Sequence, residues 1–96
     1  MEAITVGIDV AKDRLDVALR PSGEVFVVER AASGLDSLVL RLKDLAPQIV
    51  ALEATGGFET VVTAALAAAG LPVVVVNPAQ VRAFASELQA LVARAD

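Results

Sequence analysis

Along Ile4–Asp9 and again along Leu15–Arg20 apolar residues recur at every second position, and from Ser33 onward that rhythm gives way to helical spacing broken by short apolar runs. Ile4, Val6 and Ile8 alternate with Thr5, Gly7 and Asp9, and Leu15, Val17 and Leu19 alternate with Asp16, Ala18 and Arg20. A period of two sends successive side chains to opposite faces of a strand, so both segments are predicted to be strands. Ala11-Lys12-Asp13 between them is short enough for a hairpin turn. Pro21-Ser22-Gly23 supplies a second turn ahead of a third strand, Val25-Phe26-Val27-Val28. The first third of the chain is therefore expected to be an antiparallel meander.

Ser33 reads as a helix N-cap with Asp36 three residues on, and Leu35, Leu38, Val39, Leu42 and Leu45 follow at helical spacing up to Pro47. Ile49 to Glu53 is a buried strand. Phe58, Val61, Val62, Ala65, Leu66 and Ala69 make a helical stripe closed by Gly70, and Pro72 leads into Val73-Val74-Val75-Val76. Four consecutive valines suit a strand covered on both faces, as in a parallel sheet flanked by helices. After Asn77-Pro78 a last stripe of Val81, Phe84, Ala85, Leu88, Leu91 and Val92 predicts another helix. The order is βββαβαβα. With right-handed crossovers, this predicts an α/β fold with a five-stranded mixed sheet of the ribonuclease-H-like kind, its first and fourth strands adjacent and parallel.

That arrangement gives two residues a special place. Asp9 and Glu53 each close an apolar strand, and on adjacent parallel strands they would sit one inter-strand spacing, ~5 Å, apart at the same end of the sheet. Two carboxylates at that distance can share Mg²⁺, which prefers oxygen ligands and substrate phosphates. Composition narrows the chemistry further. The chain has no cysteine and no histidine, which excludes disulfides, thiolate sites, Cys nucleophiles and the commonest general base. Carboxylates, Lys12, hydroxyls and backbone remain. A net charge of −4 argues against a broad phosphate-binding surface. A cluster of acids produces the same balance, however, and bound cations would offset it.

The 96 residues, 56% of them hydrophobic, suit one domain with an ample core. No apolar run approaches the ~20 residues needed to cross a bilayer, and the N-terminus lacks the basic flank and apolar core of a signal peptide. A cytoplasmic location and no membrane partner are expected.

Three ordered blocks carry a family resemblance: Val6-Gly7-Ile8-Asp9-Val10-Ala11-Lys12, Leu52-Glu53-Ala54-Thr55-Gly56-Gly57-Phe58, and Val76-Asn77-Pro78-Ala79-Gln80-Val81-Arg82-Ala83-Phe84-Ala85. Together they resemble the N-terminal domain of DEDD transposases, bacterial insertion-sequence enzymes of the one-ten type. The resemblance implies a RuvC-like domain with an Asp, Glu, Asp, Asp site that binds Mg²⁺ or Mn²⁺ and acts on DNA in transposition. It implies Asp9 as the first acid and Glu53 as the second. In the family the last two acids follow the helix after the Asn-Pro block; here that region reads Ala93-Arg94-Ala95-Asp96. Asp96 is the candidate third acid, although its spacing from Asn77 is about one residue long and Ala95 stands where the family has Thr. Residues 1–96 are thus expected to be one RuvC-like domain, truncated before the end of its acidic motif and inactive alone. In the whole protein the resemblance implies DNA, and a guide RNA, as partners. A homo-oligomer is expected, in which part of the last helix's apolar stripe could form the contact.

Other polar residues admit two readings. Lys12 either meets a nucleic-acid backbone or balances Asp13. Thr55, Gly56 and Gly57 are explained by cap and turn chemistry, or present backbone N–H groups to a phosphate. Arg82 is a candidate phosphate contact on a helix that would carry surface arginines anyway. Asp13 and Asp16 are expected on solvent. Two rival functions compete with the transposase reading. A sugar-kinase or actin-like ATPase fragment shares the Gly-Ile-Asp strand, but its phosphate hairpin usually carries small residues where this chain has Ala11-Lys12-Asp13. A non-catalytic interaction domain of the same fold is the other. The sequence argues against a Rossmann site, because no Gly-x-Gly-x-x-Gly follows the first strand.

Overall fold

The computed structural model describes residues 3–53 and 56–76 of the chain. In order these form β1 (Thr5–Val10), β2 (Arg14–Arg20), β3 (Val25–Glu29), α1 (Ala32–Leu45), β4 (Ile49–Glu53), α2 (Glu59–Ala68) and β5 (Val73–Val76). The final helix expected after Asn77 lies outside the described residues. The five strands make one mixed sheet in the order β3-β2-β1-β4-β5. β1 pairs antiparallel with β2, and β2 with β3, as the meander requires; β1 and β4, and β4 and β5, pair in parallel.

The alternation read from the sequence sorts the two faces. Val6, Ile8 and Val10 of β1, Leu15, Val17 and Leu19 of β2, and Val50 and Leu52 of β4 are buried. They pack with Leu35, Leu38 and Leu42 of α1 and Val62 and Leu66 of α2, so both described helices cover one face of the sheet. Each such side chain contributes about 1.5–3 kcal/mol when fully removed from water, and this face is the main source of stability. The other face carries Gly7, Asp9, Asp16, Ala18, Ala51 and Glu53, along with Val25 and Val27, which are 73% and 58% exposed. It forms a shallow concavity of about 450 Å³.

The start of α1 differs from the sequence reading, and its end agrees with it. α1 starts one residue before Ser33, and its N-cap is Ala31, in extended geometry with no side-chain cap bond. Its end is set by Ala46 in the left-handed conformation (φ 49°), whose N–H donates to the Leu42 carbonyl, with Pro47 immediately after. The α1 helix is fastened to the edge strand by Arg41, which lies 4.0 Å over the Phe26 ring and pairs with Glu24. Among the described residues no helix is long and apolar enough to cross a membrane.

Candidate metal centre

The register of the sheet places the acids. β1 and β4 run in parallel with Thr5 beside Ile49 and Ile8 beside Leu52, so the next residue of each strand, Asp9 and Glu53, falls on one row. Adjacent strands stand about 4.8 Å apart. In the antiparallel direction Asp9 is opposite Asp16, Asp16 is opposite Val27, and on the far side Glu53 is opposite Val76. One row across the sheet therefore reads Val27, Asp16, Asp9, Glu53, Val76: three acids in the middle and a valine at each end. All project to the face away from α1 and α2, and the three acids line the concavity.

The expected pair is thus brought together at the ends of its strands. Asp9 is exposed and Glu53 half-buried. Asp16, expected on solvent, has a side chain that is 42% exposed with its carboxylate 3.6 Å from Arg14 Nε, and it also belongs to the row. Counting residues back from the short turn would have shown this, because Val10 opposite Leu15 forces Asp9 opposite Asp16. Asp16 and Glu53 flank Asp9 from opposite sides, about 9.6 Å apart by strand spacing. That separation accounts for the absence, among the described residues, of any three acids that converge on one ion. The pair that stays within reach is Asp9 and Glu53, with Asp9 and Asp16 as the neighbouring one.

Lys12 and Asp13 are both exposed in the turn that follows β1. On the β4 side Gly56 and Gly57 adopt positive φ (70° and 110°), which glycine tolerates without strain. The Gly57 N–H donates to Glu59 Oε2 at 3.0 Å, so one amide of the helix entry is satisfied locally, in keeping with cap chemistry. Thr55, Arg82 and Asp96 lie outside the described residues.

A residue that sequence reasoning passed over stands beside this centre. Arg30, just past β3, donates from Nε to the Lys12 carbonyl at 2.6 Å, and its guanidinium lies 5.0 Å from the centroid of the Phe58 ring. Nothing in the one-dimensional pattern marks it, because its partners come from two other parts of the chain.

Among solved structures, the RuvC of T. thermophilus in complex with a Holliday junction substrate is similar to this chain, with a TM-score of 0.61 and 20% identity, covering 84% of this chain and 68% of that one. The likeness establishes a RuvC-like, ribonuclease-H-like fold. No curated protein matches significantly. Neither the structural likeness nor the family match supports the sugar-kinase or actin-like reading. The family profile described as "Transposase", for DEDD enzymes of the IS110 type, matches residues 6–92, and the chain belongs to that family.

Proposed function

We propose that this chain is the metal-dependent catalytic domain of its transposase, that Asp9 and Glu53 are the first two ligands of a divalent cation, and that DNA is the substrate. The observation that carries the reading is the shared row of Asp9 and Glu53 at the ends of adjacent parallel strands, on the face left open by α1 and α2. DEDD transposases and RuvC-like nucleases generally use divalent metal ions, and the similar RuvC structure holds a Holliday junction. The match over residues 6–92 supports treating residues 1–96 as one such domain.

The donor set fits the ion. Both side chains offer carboxylate oxygens, and Mg²⁺ is commonly held by one or two protein carboxylates, with waters and substrate phosphates completing its shell. When bound, such an ion generates a nucleophile near neutral pH and offsets charge on the phosphoryl oxygens. This chain's residues supply the setting. β1 and β4 hold the two carboxylates on rigid strands, Gly7 and Ala51 keep the floor beside them low, and Lys12 offers a cation to the DNA backbone from the adjoining turn. Asp96 as third ligand, and Thr55, Gly56 and Arg82 as backbone contacts, belong to the same proposal.

The test is Mn²⁺ titration followed by water-proton relaxation, on the unaltered chain and on Asp9→Asn, Glu53→Gln and Asp13→Asn. Asp9→Asn and Glu53→Gln should each weaken binding by at least about tenfold, since even loss of a residue that only supports a ligand has an effect of that size. Asp13→Asn should leave it unchanged. Equal Mn²⁺ binding in all four proteins would overturn the reading. A defined dimer unaffected by the two site substitutions would then favour a non-catalytic interaction domain.

A further inference from the structure

Arg30 touches both chain segments that leave the two acid-bearing strands. Its N–H donates to the Asp13 carbonyl at 3.0 Å and its Nε to the Lys12 carbonyl at 2.6 Å, within the turn that follows Asp9. Its guanidinium also stands 5.0 Å from the Phe58 ring centroid, at the entry to α2 that follows Glu53. The bonds inside each segment are local: Ala11 N–H to the Arg14 carbonyl on one side, Gly57 N–H to Glu59 on the other. Arg30 reaches across from a third element, the end of β3.

We infer that Arg30 is a positioning residue for the candidate metal centre, clasping the turn after Asp9 to the helix entry after Glu53 so that the two strand ends keep their shared row. The inference rests on the reading of Asp9 and Glu53 as a metal site. The side chain suits the task. A guanidinium can donate in its plane while its face stacks on an aromatic ring, whereas a lysine ammonium is a compact point charge without that plane and reproduces the pair of contacts less well. The helix entry needs such a tie because Gly56 and Gly57 leave its backbone permissive. Misplacement of a metal-site group by even ~1 Å is costly to a geometry-dependent reaction.

The test uses the 96-residue chain with Arg30→Ala, Arg30→Lys and Phe58→Ala. In metal-free protein, amide hydrogen exchange should quicken in both the 11–14 turn and residues 56–58 for Arg30→Ala. Phe58→Ala should quicken exchange in the 11–14 turn, although it lies on another element. Mn²⁺ affinity, read from the free-ion spin-resonance signal, should fall about tenfold for Arg30→Ala, with Arg30→Lys in between and far-ultraviolet circular dichroism unchanged. The inference is overturned if Phe58→Ala leaves the 11–14 turn unaltered. It is also overturned if Arg30→Ala binds Mn²⁺ like the unaltered chain while Asp9→Asn does not. If Asp9→Asn also binds normally, the metal-site reading itself has failed and takes the positioning role with it; coupled exchange would then show a clasp without a metal site to serve.

Discussion

Asp9 on β1 and Asp16 on β2 are directly opposed across the hairpin, two carboxylates in cross-strand register on one face of the sheet. Like charges so placed are destabilising by roughly 0.2–1 kcal/mol, and Glu53 stands on the other side of Asp9 in the same row. The ion pair between Arg14 and Asp16 spans 3.6 Å with side chains 64% and 42% exposed, so it offsets only part of this. Asp9→Asn should therefore stabilise the metal-free chain by about 0.5 kcal/mol, seen as a higher urea midpoint at unchanged slope. A lower midpoint would mean that Asp9 serves the fold, and the case for a site residue would weaken.

A divalent ion should reverse that ordering. Binding to the native state alone stabilises by about 2.7 kcal/mol when the ligand is a hundredfold above its dissociation constant. Saturating Mn²⁺ should accordingly raise the melting temperature of the unaltered chain while leaving Asp9→Asn nearly unmoved. Parallel shifts in both proteins would place the ion elsewhere.

Gly7 reports on the open face. It lies in β1 between the buried Val6 and Ile8, and a Cβ built there meets nothing within 4 Å. Glycine inside a strand is less favourable than alanine by roughly 0.5–1 kcal/mol. Gly7→Ala should then stabilise the chain by about that amount in urea unfolding. Loss of stability would reveal that this face is occupied in solution.

Much of the fold was legible because side-chain period and turn residues are local signals. Alternation along Ile4–Asp9 and Leu15–Arg20, and the valine run 73–76, sufficed for strand identity. With the crossover rule they also placed β1 beside β4, and so Asp9 beside Glu53. Ser33 misled because a capping residue type is a weaker constraint than where the chain leaves β3; the helix begins at Ala32 with Ala31 as its cap. Ala46 gives no sequence sign of its left-handed geometry, which usually selects glycine. That the solvent-facing Asp16 joins the acid row needed a register count, and Arg30 was not legible because its contacts exist only once three elements are folded together.

The α1 register can be checked by a matched pair. Leu38 is completely buried against the sheet and Leu40 is 71% exposed on the opposite side of the helix. Leu38→Ala should cost about 2–5 kcal/mol through lost burial and the cavity left behind. Leu40→Ala should change stability by less than about 0.5 kcal/mol. Similar costs at both positions would contradict the packing of this helix.

Gly34, in the first turn of α1, lies close against the end of β3. A Cβ there would lie 1.9 Å from the Glu29 carbonyl oxygen and 2.8 Å from its carbon. Glu29 is held in register opposite Arg14, so its backbone cannot yield as a flexible side chain could. On helix propensity alone Gly34→Ala would gain about 1 kcal/mol, but forcing a methyl against fixed backbone costs typically about 1–3 kcal/mol and sometimes more. The clash should win, giving a net loss in urea unfolding, whereas Ser37→Ala, exposed in the same helix, should be neutral or slightly stabilising. Because Arg30 directly follows Glu29, the displacement should also reach its contacts and quicken amide exchange in the 11–14 turn. A Gly34→Ala protein more stable than the parent would show that α1 stands farther from β3 than this packing has it.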